Sequence, residues 1–273
     1  MKIVRPYAKL CNTDLGRALN VIEAAARVSH ASEDKQMDNT AERFIKNVVI
    51  DHGDWSVVEH VSATVEFKVD RGITHEIVRH RIAAYTQSST RFINYDKKYQ
   101  KGHEKEGQVI TPAEFIYPKT DVECEHCVAG HDPTTMNGYD KITEGENYQH
   151  HFHPRHEFRK VDLEYHVEPC AYDQYWLSAI KASESMYKEL IAKGWRPQEA
   201  RSVFPNALAS KLIMTCNLRN WRHFFLMRTS KEAHPQMRQV TIPLLKAFQE
   251  AVPLLYDDII PESRQADNIA KGR

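Results

Sequence analysis

The sequence predicts an α+β fold, with helices packed on a mainly antiparallel sheet, and two observations carry that expectation. Residues His60 to Asp70 alternate without a break, and several segments on either side carry apolar residues at helical spacing. No internal repeat is present. With 273 residues, 41% of them apolar, the chain is long enough to bury a sizeable core without disulfides or a structural metal. It reads as a single domain over 1–273, interrupted by an insertion at about 100–170.

The elements follow in order. Residues 14–30 form a first helix, with Asp14 as N-cap and Leu15, Leu19, Ile22 and Ala26 on one face. A second helix, about 39–52, stops at Gly53. The alternating run then places Val61, Ala63, Val65, Phe67 and Val69 on one side of a strand and Ser62, Thr64, Glu66, Lys68 and Asp70 on the other. A short helix continues through about Ala83, turning Ile73 and Ile77 inward, and the polar stretch from Tyr85 to Arg91 is expected to be loop. Residues 100–170 show little periodicity and many turn formers. The core resumes with a long helix over about 172–193, in which Trp176, Ile180, Tyr187 and Ile191 share a face and Gly194 is the stop. Pro197 opens a short helix bearing Arg201. A second strand is expected at 211–218, followed by helices at 220–228 and 235–256.

Composition narrows the function. The 37 Lys plus Arg balance 37 Asp plus Glu, which excludes the general basic excess of a nucleic-acid binder. No apolar run approaches the roughly 18 residues of a membrane span, so no membrane association is expected. Five sparse cysteines and an N-terminus without an apolar signal core point to a reducing cytoplasm. No two glycines are spaced as Gly-x-Gly, which removes the common phosphate-cradling loops. The charge is nevertheless uneven. From Ile77 to Tyr95 there are three arginines and no acid, and from Arg201 to Arg228 five basic residues and no acid. The stretch from Gln100 to Cys170 compensates with fourteen acids against seven Lys or Arg.

The segment Arg79-His80-Arg81-Ile82-Ala83-Ala84-Tyr85-Thr86-Gln87-Ser88-Ser89-Thr90-Arg91 is the most informative. On a helix successive side chains turn by about 100°, so Arg79, His80 and Arg81 would fan over about 200° and could not all face one ligand. The following hydroxyls, amide and arginine suit a phosphate and a pyrimidine edge. Taken alone, the segment would also fit an exposed basic helix end.

The triplet, followed by seven residues and Ser89, resembles the signature of flavin-dependent thymidylate synthases. Further segments resemble that family in the same order: Ala26-Arg27-Val28-Ser29, the run from His52 to His60, Glu199-Ala200-Arg201, Asn217-Leu218-Arg219, and Phe225-Leu226-Met227-Arg228 followed by Ala233-His234. The resemblance implies an α/β core and a homotetramer with shared active sites. It implies conversion of dUMP to dTMP, with methylenetetrahydrofolate as carbon donor, FAD as hydride carrier and NADPH as its reductant. By position, Ser56, Arg79, His80, Arg81, Gln87, Asn217, Leu218, Arg219 and His223 would contact FAD. Glu76, Ile77, Val78, Arg79, Gln87, Ser88, Ser89, Thr90, Arg91, Arg201 and Arg228 would hold dUMP, and Arg228 would be the catalytic residue that stabilises the ionised uracil. No protein nucleophile is implied, and each cysteine reads as a small core residue.

Several positions depart from the family pattern. Ala84, Thr86, Gln87 and Phe92 replace its Ser, Asn, Glu and Tyr, Asp54 replaces a His, and Glu76 replaces a Gln. The changes at Glu76 and Gln87 look like a carboxylate and an amide exchanged near one ligand, which keeps dUMP as the expected substrate. The alternatives are a related pyrimidine nucleotide acted on at C5, such as dCMP, a hydroxymethyl product, or a non-catalytic homologue that only binds nucleotide and flavin. Without the resemblance, Arg219 and Arg222 would read as surface ion-pair partners and His223 as a hydrogen-bonded core histidine. In the insertion, Cys124-Glu125-His126-Cys127 with distant histidines has a spacing that can bind zinc, although a solvated His-rich flap is the simpler expectation.

Overall fold

A computed structural model describes residues 1–11, 14–96, 113–118, 150–151, 167–168 and 171–263. The chain divides into two compact units. The larger one comprises Val4–Ser89 and the chain from Asn206 onward, and the smaller one comprises Met1–Ile3 with the described parts of Thr90–Pro205.

The strands, in chain order, are β1 (Lys2–Val4), β2 (Tyr7–Cys11), β3 (Ser62–Asp70), β4 (Ala84–Gln87), β5 (Glu114–Ile116), β6 (His150–His151), β7 (Val167–Glu168) and β8 (Ala209–Asn217). The helices are α1 (Ala18–Val28), α2 (Ala41–Ile45), α3 (Arg71–Ile77), α4 (Ala171–Ala192), α5 (Pro197–Ala200), α6 (Leu218–Arg228), α7 (Pro235–Ala251) and α8 (Pro253–Tyr256).

In the larger unit, four antiparallel strands lie in the order β2-β3-β8-β4. The register pairs Ala63 with Cys216, Val65 with Met214 and Phe67 with Leu212, so one face of the two central strands is apolar and buried. The opposite face is polar, and there Thr64 and Thr215 hydrogen-bond across the strands at 2.9 Å. The apolar face packs against an aromatic cluster from α6, α7 and α8 that contains Trp221, Phe224, Phe225, Phe248 and Tyr256. The polar tips of this cluster have partners: Trp221 Nε1 donates to the Ala63 carbonyl at 3.0 Å and the Tyr256 hydroxyl to the Leu218 carbonyl at 2.9 Å. Asp14, Asp70 and Asn217 each accept a hydrogen bond from a backbone N–H two or three residues on, at 3.0, 2.7 and 2.8 Å, which starts the helical turns at Leu15, α3 and α6.

In the smaller unit, Ile180, Tyr187 and Ile191 of α4 are buried as their spacing predicts, and Tyr187 stacks on Phe204 with ring centroids 4.5 Å apart. Gly194, at φ +90°, ends that segment in the left-handed region.

Two expectations are corrected. The helix expected to reach Ala83 ends at Ile77, so the Arg79-His80-Arg81 triplet lies in the turn beyond it rather than on a helix. The Tyr85 hydroxyl lies 3.1 Å from the Ile77 carbonyl and also reaches that of His80, while His80 N–H bonds Ile77 O at 3.2 Å, so the last helical carbonyl is taken up by a tight turn. Residues 84–87 are an edge strand rather than loop, held by pairing with β8.

Candidate functional site

The site is built where the C-terminal end of α3, the turn after it and the C-terminal half of α6 meet beside β8. A cavity of about 370 Å³ is lined there by Arg79, His80, Arg81, Ile82, Met214, Asn220, His223, Met227 and Arg228. The triplet does fan, as expected, but through turn backbone: Arg79 and Arg81 are exposed, while His80 points inward and is half-buried.

Arg228, in the last turn of α6, is the most constrained cation in the site. Its Nε donates to His80 Nε2 at 3.0 Å, Nη1 donates to Glu76 Oε2 at 2.9 Å, and Nη2 donates to the Glu76 carbonyl at 3.2 Å. Its own carbonyl accepts from the Thr241 hydroxyl at 2.7 Å, tying the end of α6 to α7. The His80 ring meets Phe224 edge-on at 4.9 Å and His223 at 5.9 Å. Burial, together with the positive Arg228 beside it, lowers the His80 imidazole to about 4, so the ring is neutral at physiological pH.

Of the FAD-assigned residues, Arg79, His80, Arg81 and His223 line the cavity, while Ser56, Gln87, Asn217, Leu218 and Arg219 do not. Ser56 sits on an exposed 3-10 turn (Trp55–His60) next to Glu59, which pairs with Arg219 at 2.6 Å. Asn217 caps α6 through its side chain, and Leu218 is 1% exposed, its side chain in the core. The surface ion pair expected of Arg219 is present, whereas Arg222 is buried and pairs with Asp258 while also donating to the Leu255 carbonyl at 2.6 Å, and His223 is exposed and is not a core histidine.

Of the dUMP-assigned residues, Ile77 is fully buried and Val78 packs against the core, so neither offers a side chain to a ligand. Gln87 does not share the surroundings of Glu76: its amide donates to the Thr74 hydroxyl at 3.0 Å and lies 3.1 Å from the Ser210 hydroxyl, both on buried residues. The two exchanged groups therefore serve different neighbours. Ser88 N–H continues the β4 edge by donating to the Lys211 carbonyl at 2.9 Å, and Ser89 follows it. In the smaller unit, Arg201 Nη1 donates to the Thr90 hydroxyl at 2.9 Å, and Gln198 receives Arg91 through its side chain at 3.0 Å and Arg201 through its carbonyl at 3.2 Å.

Sequence reasoning missed Ile82, Met214 and Asn220 as lining residues, along with the bracing role of Tyr85. Met227 lies inside a quoted motif, but Met214 reads only as one more core residue of a strand. Cys216 is 5% exposed and burial pushes its thiol up to about 12, which leaves no thiolate for nucleophilic chemistry. Cys124 and Cys127 lie outside the described residues. Among the described residues no group of three His, Cys, Asp or Glu side chains is placed to hold a metal ion, and no helix is long and apolar enough to cross a membrane.

Comparison with known proteins places the chain in a family. The thymidylate synthase complementing protein family, Thy1, matches residues 12–254, and the chain belongs to it. Relatives named flavin-dependent thymidylate synthase include one from Corynebacterium efficiens, 26% identical over 98% of this chain and 88% of the relative, and one from Mycobacterium tuberculosis, 24% identical over 90% and 81%. Among solved structures, the UMP/dUMP methylase PolB from Streptomyces cacaoi, bound with 5-Br dUMP, aligns with a TM-score of 0.61 at 19% identity, covering 94% of this chain and 96% of that one. This likeness establishes the shared fold.

Proposed function

We propose that the protein is a FAD-dependent thymidylate synthase that reductively methylates dUMP to dTMP, taking the carbon from 5,10-methylenetetrahydrofolate and using NADPH to reduce FAD. The observation that carries this reading is the Arg228 guanidinium, fixed by three acceptors at the edge of a cavity flanked by two exposed arginines.

The lining fits a flavin. Ile82 and Met227 supply apolar surface for a planar ring above the buried Met214, Arg79 and Arg81 supply charge for a diphosphate, and Asn220 and His223 supply hydrogen-bonding groups. FAD bound there would, once reduced by NADPH, supply the hydride. Arg228 then does what a fixed cation can do at a uracil: its N–H groups stabilise the negative charge that develops on the ring as N3 loses its proton, which makes C5 nucleophilic. Because the guanidinium is already oriented, little reorganisation is needed when the charge appears. The nucleotide role of Thr90, Arg91 and Arg201 rests on the family resemblance alone.

Glu76 favours one competing substrate. A carboxylate beside Arg228 offers an acceptor next to a donor, and the exocyclic amine of a cytosine would satisfy it. Turnover of dUMP, UMP and dCMP should be compared in one assay, with dUMP expected to be preferred; preference for dCMP would replace this reading with the second. A simpler check is colour. Protein reconstituted with FAD should be yellow and bleach on adding NADPH in the presence of dUMP, and protein that takes up no FAD would sink the enzymatic reading.

A further inference from the structure

We propose that His80 is a positioning residue for Arg228: its neutral Nε2 accepts the Arg228 Nε–H and so sets the plane of the guanidinium that acts on the nucleotide. The inference rests on the reading of Arg228 given above and assigns His80 a role apart from any contact with flavin. An arginine held only through Nη1 and Nη2 by one glutamate can still swing about its terminal bonds; a third acceptor on Nε fixes the plane.

The surroundings of His80 are built for this. For Nε2 to accept, it must carry a lone pair, which places the ring proton on Nδ1. The main chain is held on both sides, by His80 N–H donating to the Ile77 carbonyl at 3.2 Å and by the Tyr85 hydroxyl on the His80 carbonyl. Phe224 meets the ring edge-on, which limits its rotation, and Tyr85 is itself fixed in β4 opposite Met214. The three members of the triplet are thereby divided. Arg79 and Arg81 face outward, where anions can reach them, and His80 faces the guanidinium.

The test compares His80→Gln, which keeps an acceptor close to the Nε2 position, with His80→Phe, which keeps a ring and removes the acceptor. FAD affinity, KM for dUMP and kcat are measured separately on the full chain. A hydrogen bond to a charged group is worth a factor of roughly 10 to 100. His80→Phe should therefore lose about that factor in kcat while FAD affinity and KM stay within about threefold, and His80→Gln should recover most of the loss. The proposal is overturned if His80→Phe keeps kcat, if both variants lose kcat equally, or if the loss follows FAD affinity. A readout independent of turnover separates this inference from the assigned reaction. Imidazole ¹⁵N spectra, with the His80 signal identified by its absence in His80→Gln, should show the Nδ1–H form in the native protein and a change of tautomer in Arg228→Lys. An Nε2–H form in the native protein would end the proposal whatever nucleotide the enzyme uses.

Discussion

At the scale of single residues, the account turns on Arg228 and the two groups that face it. Arg228→Lys keeps the charge but loses the planar fork, so kcat for dUMP should fall at least about 100-fold while FAD still binds; unchanged kcat would remove Arg228 from the chemistry. Glu76 pairs with Arg228 at 2.9 Å, and under the proposed function it would offset part of the charge presented to an anionic nucleotide. Glu76→Gln should therefore tighten dUMP binding by roughly threefold or more at low salt, with the gain shrinking as salt rises, in titrations of the FAD-loaded protein. Equal affinity at low salt would contradict that electrostatic role. His80 also gives a pH dependence. Its folded value of about 4 lies below the ordinary 6.5, so between those two values the unfolded chain binds a proton that the folded chain refuses. Stability should fall as pH drops from 7 toward 4 for this reason, and thermal unfolding of His80→Gln should show a shallower decline over that window. The cations of the site were legible in the sequence because Arg-His-Arg and Phe-Leu-Met-Arg are unusual patterns. Met214 was not, because an apolar residue beside a cavity and one filling the core look the same in a strand such as β8.

At the scale of elements, caps and turns place the chemistry. Asn217→Ala removes the acceptor for the Asn220 N–H at the start of α6 and should cost about 1 kcal/mol in denaturant unfolding. Gly194→Ala meets no neighbour within 4 Å, yet the φ of +90° at that position should still cost about 1 kcal/mol through backbone strain. Elements with strong apolar periodicity were legible in the sequence: α1 buries Ile22 and Ala26, β3 buries Ala63, Val65, Phe67 and Val69, and α4 buries Ile180, Tyr187 and Ile191, whereas the helix expected over 235–256 breaks at Val252 into α7 and α8. The departures that shape the site lie in β4 and in the turn after α3. In β4 the inward positions are Tyr85 and Gln87, whose polar ends erase the alternation that identifies a strand, and the pairing with β8 that creates it is not local. Residues 78–83 continue the charge pattern of α3, but the side chain that closes the turn after Ile77 is Tyr85, eight residues on and in the next strand.

At the scale of the whole molecule, the neutral sum of 37 against 37 conceals a local concentration of positive groups. Arg79, Arg81 and Arg228 line one cavity, and Glu76 pairs with Arg228 beside it, so anions can be attracted there without a generally basic surface. The chain belongs to the Thy1 family and shares its fold with PolB. The most direct measurement incubates the FAD-loaded protein with dUMP, methylenetetrahydrofolate and NADPH and identifies the nucleotide by mass. The account expects NADPH oxidation that depends on dUMP and a product heavier than dUMP by one methylene. NADPH oxidation with dUMP returned unaltered, or a product carrying a hydroxymethyl group, would contradict it.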